Sequence, residues 1–318
     1  MIRLSHRDTL PEALRGAIVA LGNFDGFHLG HQRVAEEAVN WARAEGRPAI
    51  IATFDPHPVR HFAPHVPPFR LTTLDQRAEL FAAAGADAML VFAFDDELAA
   101  MPAENFVRDL LAGRIGAAGV VTGEDFTFGK GRGGNVAVLR DVGATCGLGA
   151  RAIAPVLLDN QVVSSSRIRD ALKAGECDVA ARLLTRPFAI REVVVHGDKR
   201  GRTIGFPTAN MDMGHYLRPR YGIYAATGRI VATGQELKGA ANLGVRPSFD
   251  PPREVLEPHF FDFSGDLYGQ EIELALHHFL RPEAKFDSLD ALVAQMTADC
   301  DRARELLSDS RGDAETRR

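Results

Sequence analysis

His28 and His31 stand three residues apart in Gly22-Asn-Phe-Asp-Gly-Phe-His-Leu-Gly-His-Gln32, with Gly30 between them. The apolar run Ala17-Ile-Val-Ala-Leu21 precedes them, and Val34, Ala38 and Trp41 or Ala42 follow on one helical face. A strand, a glycine turn and a helix in that order aim backbone N–H groups and the positive end of the helix dipole at the turn's occupant. Phosphate suits such a turn, and two imidazoles beside it can hydrogen-bond its oxygens as negative charge builds during displacement. A bare His-x-x-His is more often a surface pair or half of a metal site; the Gly-Asn-Phe-Asp-Gly lead-in sets this one apart. Ser164-Ser-Ser-Arg-Ile-Arg169 opens another helix, where its hydroxyls and guanidiniums suit either a cap or a triphosphate. Farther on, Gly197, Gly201 and Gly205 alternate with Lys199, Arg200 and Arg202 before Phe206-Pro-Thr-Ala-Asn210. Those glycines admit a close ligand, and Thr208 and Asn210 are hard oxygen donors of the kind a Mg²⁺–phosphate complex uses. A solvent-facing basic β-turn is the plainer reading of that segment.

The elements that must position these groups change character along the chain. Strand-like runs at 17–22, 49–54, 88–94, 118–123 and 151–156 alternate with helical patterns at 30–45, 73–84, 103–112, 136–145 and 165–173. Short apolar strands between helices predict a doubly wound α/β domain with a parallel sheet, and ligands outside the carboxyl ends of its strands. From about residue 186 the pattern turns to short β-rich runs at 190–195, 222–226, 239–243, 256–263 and 271–279, which predict a small antiparallel β-barrel. A last helix is expected from an Asp287 N-cap, with Leu289, Leu292, Val293, Met296, Ala303, Leu306 and Leu307 facing the barrel. The expected domains are 1–185 and 186–308, followed by a disordered tail, 309–318.

Composition narrows the class. The chain has 318 residues, 46% of them hydrophobic and 25% charged, enough for two packed cores. A net charge of −5 argues against a dedicated nucleic-acid binder. Cys146, Cys177 and Cys300 are far apart, which excludes a cysteine-rich zinc site and fits a reducing cytoplasm. No apolar stretch of membrane length and no signal-peptide core is present. No membrane partner is expected, and a homo-oligomer is left open.

Two further segments belong with the histidines. In Phe54-Asp-Pro-His-Pro58, two prolines stiffen the loop that presents His57, whereas His61 and His65 read as surface residues. In Gly123-Glu-Asp-Phe-Thr-Phe-Gly129-Lys-Gly-Arg-Gly-Gly-Asn135 the glycines match the dinucleotide fingerprint only by letter, because Phe126 and Phe128 separate strand from turn. Gly131 follows Lys130 where a P-loop needs Ser or Thr. Phe126 and Phe128 either pack in the core or line a slot for a flat ligand.

The His-x-Gly-His turn resembles that of the nucleotidylyltransferases. Together with Pro-His-Pro, Gly-x-Asp-Phe-x-Phe-Gly and Ser-Ser-x-x-Arg in that order, it resembles the adenylyltransferase half of bacterial bifunctional riboflavin kinase/FAD synthetases over about residues 15–185. The resemblance implies that His28 and His31 stabilise the α-phosphate of ATP, with Gly22, Asn23, Phe24, Asp25 and Gly30 forming the turn around it. Ser165, Ser166 and Arg169 would hold the outgoing pyrophosphate. His57, Asp125, Phe126 and Phe128 would serve the FMN pocket. Ser166 replaces a usual Thr, Asp125 a frequent Asn, and Val162 a frequent Arg.

Residues 196–210 resemble the flavokinase signature. Tyr221-Gly-Ile-Tyr-Ala, Ala241-Asn-Leu-Gly-Val-Arg-Pro, Leu256-Glu-Pro-His-Phe, Asp266-Leu-Tyr-Gly and Leu280-Arg-Pro-Glu follow in the family's order over about 187–307. The resemblance implies that Gly197, Lys199, Gly201, Gly205, Phe206 and Pro207 bind ATP, and that Thr208 and Asn210 hold Mg²⁺. Glu257 would take the proton of the riboflavin 5′-hydroxyl. Pro258 beside it departs from a usual β-branched residue and marks either a restricted Glu257 or an edge strand. Glu192 replaces a common glycine, so the first barrel strand is expected to differ locally. The function implied is phosphorylation of riboflavin to FMN and adenylylation of FMN to FAD, both with ATP. The alternatives are one live half, or a nucleic-acid-binding module.

Overall fold

The computed structural model describes residues 1–196, 205–246 and 253–309, with the backbone alone at 246, 253 and 309. The chain divides into two compact units, 1–67 with 73–164, and 68–72 with 165–318.

The first unit runs β1 (Ile2–Ser5), β2 (Ile18–Leu21), α1 (Leu29–Ala44), β3 (Ala49–Asp55), α2 (Pro58–Phe62), α3 (Leu74–Ala83), β4 (Ala88–Ala93), α4 (Asp96–Ala100), α5 (Ala103–Asn105), β5 (Gly119–Gly123), α6 (Val136–Thr145) and β6 (Gly149–Ile153). A hairpin, β7 (Leu157–Leu158) and β8 (Gln161–Val162), turns on Asp159 and Asn160, both at positive φ as a two-residue hairpin requires. The six-stranded sheet is parallel, ordered β1-β4-β3-β2-β5-β6. Side chains alternate between its faces. Val19, Leu21, Ile50, Leu90 and Val120 pack on one core; Ile18, Ala20, Ile51, Met89 and Val121 pack on another beneath Val34, Ala35 and Ala38 of α1. Successive strands lead away from β2 in opposite directions, which puts the switch point of the sheet between β2 and β5. Trp41 lies flat on that sheet. A Cβ at Gly119 or Gly149 would stand 2.4 or 2.8 Å from its indole, and the Arg151 guanidinium covers the ring at 4.0 Å.

The helix expected over 103–112 is α5 passing into a π-helix over Phe106–Arg114. The edge strand β1 lies outside the expected strands. The last expected strand stops at Ile153, before Pro155.

The second unit contains α7 (Ser165–Ala174), α8 (Cys177–Leu184), β9 (Phe188–Val193), β10 (Gly222–Ile230), β11 (Glu236–Arg246), β12 (Arg253–Phe260), β13 (Glu271–Arg281) and α9 (Leu289–Asp309). Its five-stranded sheet is antiparallel, ordered β12-β11-β10-β13-β9. The segment 209–211 touches both edges. Val195 N–H donates to the Asn210 carbonyl at 2.8 Å, and Ala209 and Met211 N–H groups donate to the Pro258 and Leu256 carbonyls at 2.9 Å. An irregular stave thus joins the two edges and closes the sheet into the expected barrel.

Three sequence expectations are corrected here. Ser288, not Asp287, caps α9: its Oγ accepts from Ala291 N–H at 3.1 Å. Leu289 is exposed, while Ala303 and Leu307 pack against Ala225, Ala240 and Phe261. Glu192 causes no irregularity, since β9 pairs with β13 in unbroken register. The expected disordered tail lies, from 310 on, outside the described residues. Pro258 does sit on an edge strand of the regular sheet. Its carbonyl faces the 209–211 stave, so its missing N–H costs the β11 ladder nothing.

Candidate active sites

In the first unit, the turn between β2 and α1 is built from strained and buried residues. Phe24 and Phe27 have φ of +48° and +45°, and both rings are buried against Phe81. Asp25 and Arg77, each 2% exposed at the side chain, pair at 3.3 Å. Arg77 also donates to the Asn23 carbonyl at 3.3 Å and to the Thr53 hydroxyl at 3.1 Å. Asp25 is therefore a brace holding the turn to α3 and β3.

The brace leaves His28 as the N-cap of α1. Its Nδ1 accepts from His31 N–H at 3.4 Å, so a neutral ring carries its proton on Nε2, a donor suited to an anion. The two imidazoles stack 3.6 Å apart at 17°, with Phe24 edge-on to His31 at 5.2 Å. A Cβ at Gly30 would sit 3.3 Å from the His28 ring, so a larger residue there would press on the imidazole. Asn23 Oδ1 is buried with no hydrogen-bond partner among the described residues. Turning that amide over presents an N–H to an anion instead.

The other expected residues of this half are spread over several elements. His57 caps α2, its Nδ1 accepting from Val59 N–H at 3.2 Å. Asp125 is exposed in the turn after β5. Phe128 is buried in the core beside Phe106, and Phe126 stacks on it at 5.8 Å, so the packing reading holds for Phe128. Ser165 and Ser166 open α7 in the second unit, where the Arg169 Nε donates to the Phe69 carbonyl at 2.9 Å. Val162 is exposed in the β7–β8 hairpin.

The barrel holds a cavity of about 330 Å³. Glu257, 9% exposed, lines it together with Thr208, Asn242 and His259. Ile223, Ala240 and Ala241 supply an apolar wall, and Phe286, Leu292 and Met296 supply another, from α9 and the segment before it. Arg281 and Asp299 close one part of the lining as a two-pronged pair, with Nη2–Oδ2 at 2.7 Å and Nε–Oδ1 at 3.0 Å. Burial, with Asp299 adding to it, pushes the neighbouring Cys300 thiol up to about 11, so that thiol is uncharged at neutral pH. Phe206 also lines the cavity; Gly205 has φ +86°; Asn210 is tied through its backbone to Val195. Gly197, Lys199 and Gly201 lie outside the described residues.

Sequence reasoning missed the α9 side of this cavity. The 3.6-residue pattern of Leu292 and Met296 showed that the helix packs on something, but the same pattern serves a core and a pocket wall. It also missed Thr122 at the end of β5, fully buried, whose Oγ1 has no hydrogen-bond partner among the described residues.

Family models agree with this division: residues 10–167 match FAD synthetase and residues 184–307 match riboflavin kinase. The bifunctional riboflavin kinase/FMN adenylyltransferase of Escherichia coli (strain K12) is 38% identical over 291 residues, 91% of this chain and 92% of that protein. The chain belongs to the bifunctional riboflavin kinase/FMN adenylyltransferase family. Its Pseudomonas fluorescens relative of the same name is also 38% identical, over 93% of this chain and 94% of that one. A solved structure described as a macrolide-efflux protein from Streptococcus pneumoniae shares 30% identity, with a TM-score of 0.84 over 94% of this chain and 97% of that one. No helix among the described residues is long and apolar enough to cross a membrane. As a riboflavin kinase/FMN adenylyltransferase, the chain makes FMN from riboflavin and FAD from FMN, with the adenylyltransferase half first.

Proposed function

We propose that the two reactions run at the two places just described: adenylyl transfer at the His28–His31 turn, phosphoryl transfer in the barrel cavity beside Glu257. The observation that carries the second assignment is a buried carboxylate sharing one cavity of about 330 Å³ with Thr208 and with apolar walls. The 5′-hydroxyl of riboflavin is a poor nucleophile while protonated, and Glu257 accepts that proton as the γ-phosphate is attacked. Thr208 and Asn210 offer neutral oxygens of the kind Mg²⁺ takes when phosphates complete its shell. Among the described residues no cluster of three or more acidic, His or Cys side chains offers an all-protein metal cage, which fits an ion arriving with ATP. Such an ion supplies charge neutralisation on the transferred phosphoryl group.

In the first unit the nucleophile is the FMN phosphate, already ionised. That step needs alignment and charge stabilisation more than a base. His28 and His31 supply donors to the α-phosphate inside the turn of Gly22, Asn23, Phe24, Asp25 and Gly30. His57, Asp125 and Phe126 serve the flavin, with Phe128 backing Phe126 from the core, and Ser165, Ser166 and Arg169 serve the pyrophosphate. The functional halves are 1–185 and 186–308, and the enzyme works in the cytoplasm.

Product analysis after separate incubation with riboflavin and with FMN tests the assignment. His28→Ala abolishes FAD formation and spares FMN formation, and Glu257→Gln does the reverse. Equal loss of both products in either variant overturns separate sites.

A further inference from the structure

The stave 207–211 is fastened to β12 at three successive points. Ala209 N–H donates to the Pro258 carbonyl and Met211 N–H to the Leu256 carbonyl, both at 2.9 Å. The third tie is a side chain: His259 Nδ1 lies 2.8 Å from the Pro207 carbonyl oxygen. A carbonyl oxygen only accepts, so the imidazole carries its proton on Nδ1. His259 and Glu257 are two apart on one strand, so they share a face of the sheet, and both line the cavity. Phe206 packs edge-on to the imidazole at 5.4 Å and keeps it in place.

The Pro207 carbonyl and the Thr208 N–H belong to one planar peptide unit. Holding that oxygen fixes the rotation of the unit from which the Thr208 side chain springs, and the Ala209 bond to Pro258 fixes the far side of the same residue. Thr208 is thus clamped on both sides by groups of the strand that carries Glu257. We propose that His259 is a positioning residue for phosphoryl transfer, its Nδ1–H setting the Thr208 oxygen relative to the Glu257 carboxylate. This rests on the assignment of Glu257 and Thr208 made above. Groups that orient a ligand residue in this way commonly matter about 10- to 100-fold in activity or metal affinity.

Asparagine and glutamine separate the two ring nitrogens. The Asn amide nitrogen can stand near the place of Nδ1, while the Gln amide reaches the place of Nε2. His259→Gln and His259→Phe are expected to lower riboflavin kinase kcat about 10- to 100-fold and to raise the Mg²⁺ concentration for half-activity. His259→Asn is expected to restore most of that loss. FAD formation from FMN, which involves neither His259 nor the barrel cavity, is the internal control. Full activity in His259→Gln, or equal loss in His259→Asn and His259→Gln, overturns the inference. In the unsubstituted protein, long-range ¹H–¹⁵N NMR of the imidazole gives a second reading that needs no variant. A protonated Nδ1 with a bare Nε2 supports the tie, and a bare Nδ1 overturns it. Kinase activity retained in Glu257→Gln would instead defeat the underlying site assignment.

Discussion

Thr122 carries a hydroxyl into the fully buried end of β5, where nothing among the described residues bonds it. A buried polar atom without a partner costs about 1–3 kcal/mol, while an apolar residue of the same shape costs nothing comparable. Thr122→Val is therefore expected to stabilise the first unit by about that amount in chemical denaturation; a loss of stability would mean that an ordered water serves the hydroxyl. Residues differ in how far their sequence reveals them. His28 and His31 were legible because spacing, glycines and the strand–turn–helix setting are all local. Asp25 was legible as a member of the turn but not as the partner of Arg77, 52 positions away. Glu257 was reached only through the family's order of motifs, since one carboxylate in a β-run has no local signature.

At the scale of elements, α9 divides its labour. Ala303 and Leu307 anchor its later turns in the barrel core, while Leu292 and Met296 wall the cavity and Asp299 grips Arg281 of β13. The first turn depends on its cap. Ser288→Ala is expected to cost about 1 kcal/mol of stability and to weaken riboflavin binding, read by denaturant melts and by flavin fluorescence titration. Normal affinity would show that the cavity wall does not need that turn. Strand and helix alternation was legible in the first unit because parallel strands buried on both faces leave continuous apolar runs. The π-helix over 106–114 was not, because i→i+5 bonding leaves no distinct periodicity in so short a stretch. Nor was the 207–211 stave, a run with no strand pattern that works through backbone bonds and one histidine.

At the scale of the whole molecule, each unit carries a histidine that burial makes reluctant to take a proton. His277 in β13 bonds the Thr227 hydroxyl at 2.9 Å, and its pKa is lowered to about 4, chiefly by burial and then by His278 and Lys238. Above pH 6.5 the ring is neutral folded or unfolded. Between 6.5 and about 4 the unfolded chain takes a proton that the folded one refuses, so stability falls as pH falls, by roughly 3 kcal/mol in all. His277→Gln is expected to flatten that limb for the second unit in calorimetric melts at pH 7 and pH 4.5, and an unchanged limb would assign it to other groups. Burial also lowers His6 in the first unit, which this substitution leaves untouched. The indole pressed onto Gly119 and Gly149 has a last consequence. Trp41 is the sole tryptophan of the chain and belongs to the first unit. Emission excited at 295 nm is a built-in optical reporter of the adenylylating half alone, so the order in which the halves come apart can be followed without attaching a dye.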